Sequence, residues 1–406
     1  MVAAPYPLPA RPAAAAGIRA RALARGLRRR GHPVTVVCAG DASSRPWRDE
    51  GVEVVPARYV DVEAHARRAG VELRELRTGG GGADGHGRTG LAREIAVRLC
   101  VPDRYVVWVP AAIAAARRAG ARHALVISTG PVSAHLVGRA VVGDRPWVVD
   151  CNDLWSHNPD RTNGRLRDAI DRTLEARVLH RANRLTTVSE PMAAELARRH
   201  GTPVTVLYSG YDAHEYPAPE VRRPGQRHRL LFAGTLYGKQ DLTPLLEALA
   251  AGRRDGWLDP ARLEVDFVGR LSDRAAHEAE RFGVGDFVRT SEPVPREDLL
   301  PRLAGADALL LPSLRATDRN ALPMKLFEYV GARRPIIVFG PGDHLAAHLV
   351  AENGLGVVLT DAEAIGRCLH EIVNGQDALP VALPPARARF SRETTLATLA
   401  TVVDGL

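Results

Sequence analysis

Two short segments hold residue types and spacings that suit a phosphorylated ligand. Lys239 and Lys325 are the only lysines among 55 basic residues; every other basic position is arginine. A compact ammonium on a flexible stem suits a phosphate held as a point charge, where a planar guanidinium does not fit. Lys239 lies in Gly234-Thr-Leu-Tyr-Gly-Lys-Gln and Lys325 in Leu322-Pro-Met-Lys-Leu-Phe-Glu-Tyr, both read as ligand loops. Pro323 suits a helix's first turn, where its missing N–H costs nothing. Such a helix start offers unpaired N–H groups and the positive end of a dipole to a diphosphate. Glu328 follows Lys325 by three residues and can reach a ribose hydroxyl pair. A plain i,i+3 ion pair with Lys325 is the competing reading. Asp150 and Asp153 end a central strand, where open α/β sheets place ligands. Either can orient an acceptor hydroxyl or take its proton, and either can instead cap the following segment. Asp150–Asn152–Asp153 has no further carboxylate or His at a set spacing, so no metal is expected.

These loops need a frame, and the chain supplies one in alternating β and α segments. A length of 406 residues calls for two domains. Mostly apolar runs at Val34–Ala39, Glu53–Pro56, Ala124–Thr129, Trp147–Asp150, Leu185–Ser189 and Val204–Tyr208 read as strands covered on both faces. A second set follows at Arg229–Ala233, Leu263–Val268, Phe287–Thr290, Ala308–Leu311, Pro335–Phe339 and Gly356–Leu359. Helical patterns such as Pro191–His200 and Thr243–Ala251 lie between. Two consecutive sets predict two Rossmann-like, doubly wound α/β domains. The proline-rich stretch from Ala213 to Gln226 reads as the boundary, giving domains 1–212 and 213–388. The glycine-rich stretch Thr78–Gly90 reads as a mobile loop.

Composition narrows the function class. The net charge is +8, yet arginines are scattered and aromatics are only 5%, which argues against a nucleic-acid partner. Cys38, Cys100, Cys151 and Cys368 form no metal-ligand pattern and fit buried thiols in a reducing cytoplasm. No apolar stretch reaches membrane-spanning length. Met1-Val-Ala-Ala-Pro-Tyr-Pro is too short and proline-rich for a signal peptide and leaves the first strand stunted, or the true start lies upstream. The arginine-rich helix Arg19–Arg30 and Tyr105-Val-Val-Trp-Val-Pro are candidates for resting on an anionic membrane at the inner face, with ordinary packing as the alternative. Oligomeric state is not legible.

Pro323-Met-Lys-Leu-Phe-Glu-Tyr-Val-Gly-Ala-Arg-Arg-Pro-Ile-Ile resembles the carboxy-terminal signature of family 4 glycosyltransferases of the two-domain GT-B fold, in the branch reading Pro-x-Lys-Leu-x-Glu-Tyr. Leu27-Arg-Arg-Arg-Gly-His-Pro-Val-Thr-Val-Val, Ser128-Thr-Gly-Pro-Val-Ser-Ala-His-Leu-Val-Gly and Pro146-Trp-Val-Val-Asp-Cys-Asn-Asp-Leu-Trp resemble its amino-terminal motifs. Thr186-Thr-Val-Ser-Glu and Gly210-Tyr-Asp resemble the passage between domains, and Phe232-Ala-Gly-Thr-Leu-Tyr-Gly-Lys its donor-phosphate loop. The resemblance implies a retaining, metal-independent transfer of a sugar from a nucleotide-diphosphate donor, a co-substrate rather than a cofactor, to a hydroxyl or thiol acceptor. It implies that Lys239 holds the diphosphate with Gly234 and Thr235, and that Asn320, Ala321, Leu322, Pro323, Met324 and Lys325 line the donor site. Glu328 would bind the ribose, Val294 the base, Gly17 the phosphate loop, and His135 the donor sugar or the acceptor. A closing helix in 389–406 is expected to pack back on the first domain. Two departures stand out. The arginine usual shortly before Lys239 is missing, and Asn320 replaces a frequent Glu; an amide still hydrogen-bonds sugar hydroxyls but carries no charge.

Alternatives remain at this level. A nucleotide-sugar epimerase shares the fold but needs more acid/base residues. A non-catalytic nucleotide-sugar-binding partner protein would tolerate both departures. A nicotinamide dehydrogenase lacks its Gly-x-Gly-x-x-Gly turn here. The arginine- and alanine-rich composition suits a high-GC bacterium, with envelope polysaccharide, glycolipid or natural-product acceptors.

Overall fold

The computed structural model describes residues 1–3, 6, 15–41, 43–60, 100–120, 123–156, 164–220, 225–236, 240–313, 322–375, 379–380 and 383–406. The glycine-rich loop and the site positions Lys239, Asn320 and Ala321 lie outside the described residues. The chain divides into two units, Met1–Tyr208 with Thr395–Leu406, and Ser209–Thr394.

Unit 1 is built on strands β1 Val2–Ala3, β2 Thr35–Gly40, β3 Trp47–Asp49, β4 Val52–Arg58, β5 Val126–Thr129, β6 Trp147–Cys151, β7 Arg184–Thr187 and β8 Val204–Val206, in the order β3-β4-β2-β1-β5-β6-β7-β8. All neighbours are parallel except β3, which runs antiparallel to β4. The strand order reverses between β1 and β5. Burial on both faces explains the apolar runs: Val37 packs with Trp108, Ala112 and Val137, while its neighbours Val36 and Cys38 pack with Ala20 and Ala24. Thr395–Leu406 belongs to this unit because Leu396 and Leu399 cover Leu23, Leu27, Ile127, Val148 and Leu207. β3 has no counterpart among the sequence-predicted strands. Its three residues include one apolar side chain; what makes it a strand is the two-residue turn Glu50–Gly51, with φ of 46° and 82°. Positive φ at both centres is the hairpin geometry that matches strand twist.

Arg19, Arg21, Arg25 and Arg29 of the helix Ala15–Arg29 are paired with carboxylates, Arg19 buried, Arg25 largely so, Arg21 half-buried and Arg29 exposed. Arg19 pairs with Asp150, Arg21 and Arg25 with Asp49, and Arg29 with Glu50. Trp108 is fully buried and Tyr105 stacks on Tyr59 with ring centroids 5.0 Å apart. Among the described residues, no helix is long and apolar enough to cross a membrane.

Unit 2 is a six-stranded, wholly parallel sheet: β9 His228–Ala233, β10 Leu263–Val268, β11 Val288–Ser291, β12 Ala308–Pro312, β13 Ile336–Phe339 and β14 Gly356–Leu359, in the order β11-β10-β9-β12-β13-β14. Numbered within the unit this is 3-2-1-4-5-6, the mononucleotide-binding winding, with its reversal between β9 and β12. Phe232, Phe267, Leu310 and Ile337 form its core with Leu245, Leu249, Ile365 and Leu369. Each such side chain contributes about 1.5–3 kcal/mol by leaving water.

Candidate active site

In a doubly wound sheet, ligands rest beyond the carboxyl ends of the strands at the reversal. In unit 2 that place is the turn after β9. Gly234 has φ of +126°, and Gly269, after β10, has φ of +141°. A Cβ on Gly269 would lie 2.1 Å from the Gly234 carbonyl oxygen, so only glycine allows the two turns to touch. Backbone bonds zip them: Gly234 N–H donates to Val268 (2.8 Å) and Leu236 N–H to Arg270 (3.0 Å). The side chain of Arg270 then crosses to Thr235, Nη2 donating to Oγ1 at 3.3 Å.

Lys325 reaches the same turn from the helix Met324–Ala332. Pro323 stands one position before that helix, at its cap with extended ψ of 137°, rather than inside the first turn as expected. Lys325 is half-buried as a residue, but its Nζ is sealed from solvent and has no hydrogen-bond partner among the described residues. Nζ lies 3.2 Å from where a Gly234 Cβ would sit and 4.0 Å from the Phe232 ring centroid. Burial lowers its pKa to about 7.

Glu328, one turn on, does not pair with Lys325. Its Oε2 accepts from the Tyr216 hydroxyl at 2.6 Å and from Arg296 Nη1 at 2.7 Å. Arg296 also holds Glu215 at 2.6 Å. Burial, reinforced by Glu328, raises the Tyr216 phenol far above its usual range, so it acts as a donor. Glu215, Tyr216, Arg296 and Leu300 border an open groove of about 640 Å³. Val294 is half-buried in the stretch before Arg296; Leu322, Pro323 and Met324 are half-buried at the helix start. Tyr216 and Arg296 were not legible in the sequence, lying 112 and 32 positions from Glu328.

In unit 1, Asp150 stands one residue before the end of β6 with its lone pairs engaged. It accepts from Arg19 Nε (3.0 Å) and Nη2 (2.7 Å), from Thr129 (2.5 Å) and from Thr186 (2.8 Å), and is 1% exposed. Burial alone would raise its carboxyl, but Arg19 and the hydroxyls hold it below the usual range. A carboxylate saturated in this way is a buried counter-ion tying the first helix to β5, β6 and β7, not a proton acceptor. Asp153 is exposed; it and His135 line one cavity of about 30 Å³, room for a water or two. His135 starts the helix Ser133–Val141 as expected but is buried at 4% exposure, its Nδ1 2.9 Å from Ser128 Oγ. The Trp147 indole N–H donates to that same oxygen at 3.0 Å. The tautomer that gives the Ser128 hydrogen an acceptor has Nδ1 bare and Nε2 protonated. Burial lowers the imidazole to about 4, so it is neutral. Gly17 is buried in the first turn of Ala15–Arg29.

Residues 16–215 match the family model Glycosyltransferase Family 4, and residues 227–374 match Glycosyl transferases group 1. Sucrose-phosphate synthase from Thermosynechococcus elongatus is similar over 97% of this chain and 94% of its own, with 14% identity and a TM-score of 0.64. A glycosyltransferase from Rickettsia africae shares 10% identity over 99% and 96%, at a TM-score of 0.60. WaaG, a glycosyltransferase involved in lipopolysaccharide biosynthesis, shares 16% identity over 99% and 95%, at 0.54. These identities show the fold alone. No curated protein sequence matches the chain significantly. The two parallel-sheet units are a GT-B fold, and the protein is a glycosyltransferase enzyme. Its paired domain matches place it among glycosyltransferases of the family 4 type.

Proposed function

We propose that the enzyme moves a sugar from a nucleoside-diphosphate donor to a hydroxyl acceptor with retention of configuration, the donor bound on unit 2. The observation that carries this is Lys325 Nζ: a buried cation with no hydrogen-bond partner among the described residues, aimed at the positive-φ turn of Gly234 where the strand order reverses. The diphosphate rests on Gly234 and Thr235 and on the helix start at Pro323, with Lys325 and Lys239 as its cations. Glu328 binds the ribose through Oε1, while Tyr216 and Arg296 fix its other oxygen. Val294 borders the base, and Asn320, with Ala321, Leu322 and Met324, the donor sugar. His135 and Asp153 serve sugar or acceptor contact in unit 1. The C1–O bond to the diphosphate breaks as the acceptor oxygen bonds C1 on the same face. The acceptor proton passes to the departing diphosphate oxygen, whose negative charge the lysines stabilise. No residue pair is assigned to a covalent intermediate or to a metal. Envelope polysaccharide, glycolipid and natural-product acceptors, in a bacterial cytoplasm, fit this reading.

The test is thermal unfolding with UDP, GDP, ADP, TDP and their sugars, beside Glu328→Ala. A ligand at 100 times its Kd adds about 2.7 kcal/mol, a shift of several degrees. A shift from one nucleotide, lost in the variant, is expected; none from any nucleotide overturns the donor site. The anomeric proton coupling of the product, read by NMR, tests retention.

A further inference from the structure

We propose that Arg270 is a second cationic contact of the donor diphosphate, delivered to the phosphate turn from the loop after β10. This rests on the donor site proposed above and adds a residue that the β9 loop itself does not contain. Four observations converge on it. Gly269 and Gly234 are packed backbone to backbone, and two backbone bonds fix Arg270 beside Thr235. The guanidinium is anchored by a bond to the Thr235 hydroxyl at 3.3 Å, and its other N–H donors have no partner among the described residues. Arg270 has no carboxylate at ion-pair distance among the described residues, in a chain whose arginines are widely paired. Leu271, next in line, holds a left-handed φ of 62° while 54% exposed. Backbone strain of this kind persists where the surroundings need a side chain aimed in one direction.

The chemistry calls for such a residue. A nucleoside-diphosphate sugar carries two negative charges, and the leaving nucleoside diphosphate takes up a third as the C1–O bond breaks. Lys325, whose ammonium titrates near neutrality, neutralises that charge only in part at physiological pH. A guanidinium stays charged at every relevant pH and forks onto two phosphate oxygens at once. The segment Gly234-Thr-Leu-Tyr holds no arginine, so the neighbouring loop is where this cation enters.

The experiment compares wild type with Arg270→Gln by calorimetric titration of UDP, GDP, ADP and TDP, each beside its nucleoside. Arg270→Gln is expected to weaken the preferred diphosphate about 10- to 100-fold, the worth of a hydrogen bond to a charged group, and to leave nucleoside affinity unchanged. Recovery of diphosphate affinity in a Thr235→Arg, Arg270→Gln double variant supports the same contact. Diphosphate affinity within twofold of wild type, or an equal loss for nucleoside and diphosphate, overturns the role of Arg270 while the donor site stands. Failure of wild type to bind any nucleoside diphosphate overturns the donor site, and Arg270's role with it.

Discussion

Lys325 meets two opposed demands, and both can be measured. The unfolded lysine titrates near 10.4 and the folded one at about 7. Between those values the unfolded chain binds more protons, so this group makes stability rise with pH across that window. Below pH 7 both states are protonated and the burial penalty is fully present. Lys325→Met is therefore expected to raise Tm by several degrees at pH 6, with the gain shrinking toward pH 10, in thermal scans run as a pH series. The same lysine must be charged to hold a diphosphate, so nucleotide affinity is expected to fall about tenfold between pH 7 and pH 8.5. Proton uptake on binding at pH 8, measured in two buffers of different ionisation enthalpy, is the matching signature. Asp150 belongs at this scale too. Arg19→Ala leaves its carboxylate buried without a countercharge and is expected to cost about 3–5 kcal/mol in denaturant unfolding, with nucleotide binding at unit 2 retained. Lys325 and Glu328 could be picked out from residue type and spacing. Arg270, Arg296 and Tyr216 could not, because nothing local marks a side chain whose partner lies tens of positions away.

At the scale of elements, the twelve runs of apolar residues read as strands are strands, within a residue or two at most ends. A strand covered on both faces writes its burial into consecutive positions, as Leu230–Ala233 and Leu309–Leu311 do. β3 escaped because a short edge strand has no such obligation; its signal was the Glu50–Gly51 turn instead. The pairing of the turns after β9 and β10 is likewise silent in sequence, since Gly234 and Gly269 look like any strand-ending glycines. It is nevertheless the most exacting contact of the candidate site. Gly269→Ala places a methyl against the Gly234 carbonyl at a φ that alanine disfavours. It is expected to destabilise by about 2–4 kcal/mol and to cut nucleotide affinity at least tenfold; an affinity within twofold of wild type would show the turn to be unimportant.

For the whole molecule, the two-sheet plan was legible because two β/α sets follow each other along the chain. The boundary expected at 212/213 compares with Tyr208/Ser209, and the closing helix expected in 389–406 belongs to unit 1 from Thr395; the exact limits are set by which residues the chain ends touch. Tyr211 and Asp212 are tied to Phe390 and Arg392 inside unit 2, whereas Leu396 and Leu399 complete the core of unit 1. Unit 2 is thus one continuous segment with its own core. A fragment of residues 209–394 is expected to fold cooperatively and bind the preferred nucleotide within about threefold of the full chain, by circular dichroism and titration. A fragment of residues 1–208 lacks the cover of Leu396 and Leu399 and is expected to melt broadly or aggregate.

That late cover has a consequence in time. During translation residues 1–208 leave the ribosome first, but the leucines that close over Leu23, Leu27 and Ile127 follow only after unit 2 has been made. At elongation rates of about 5–20 residues per second, roughly 190 intervening residues amount to roughly 10–40 seconds. Throughout that interval the nascent first half carries an oily seam that a passing chaperone can hold and a neighbouring chain can stick to. The first half is accordingly closed by the tail, long after the half's other residues were synthesised.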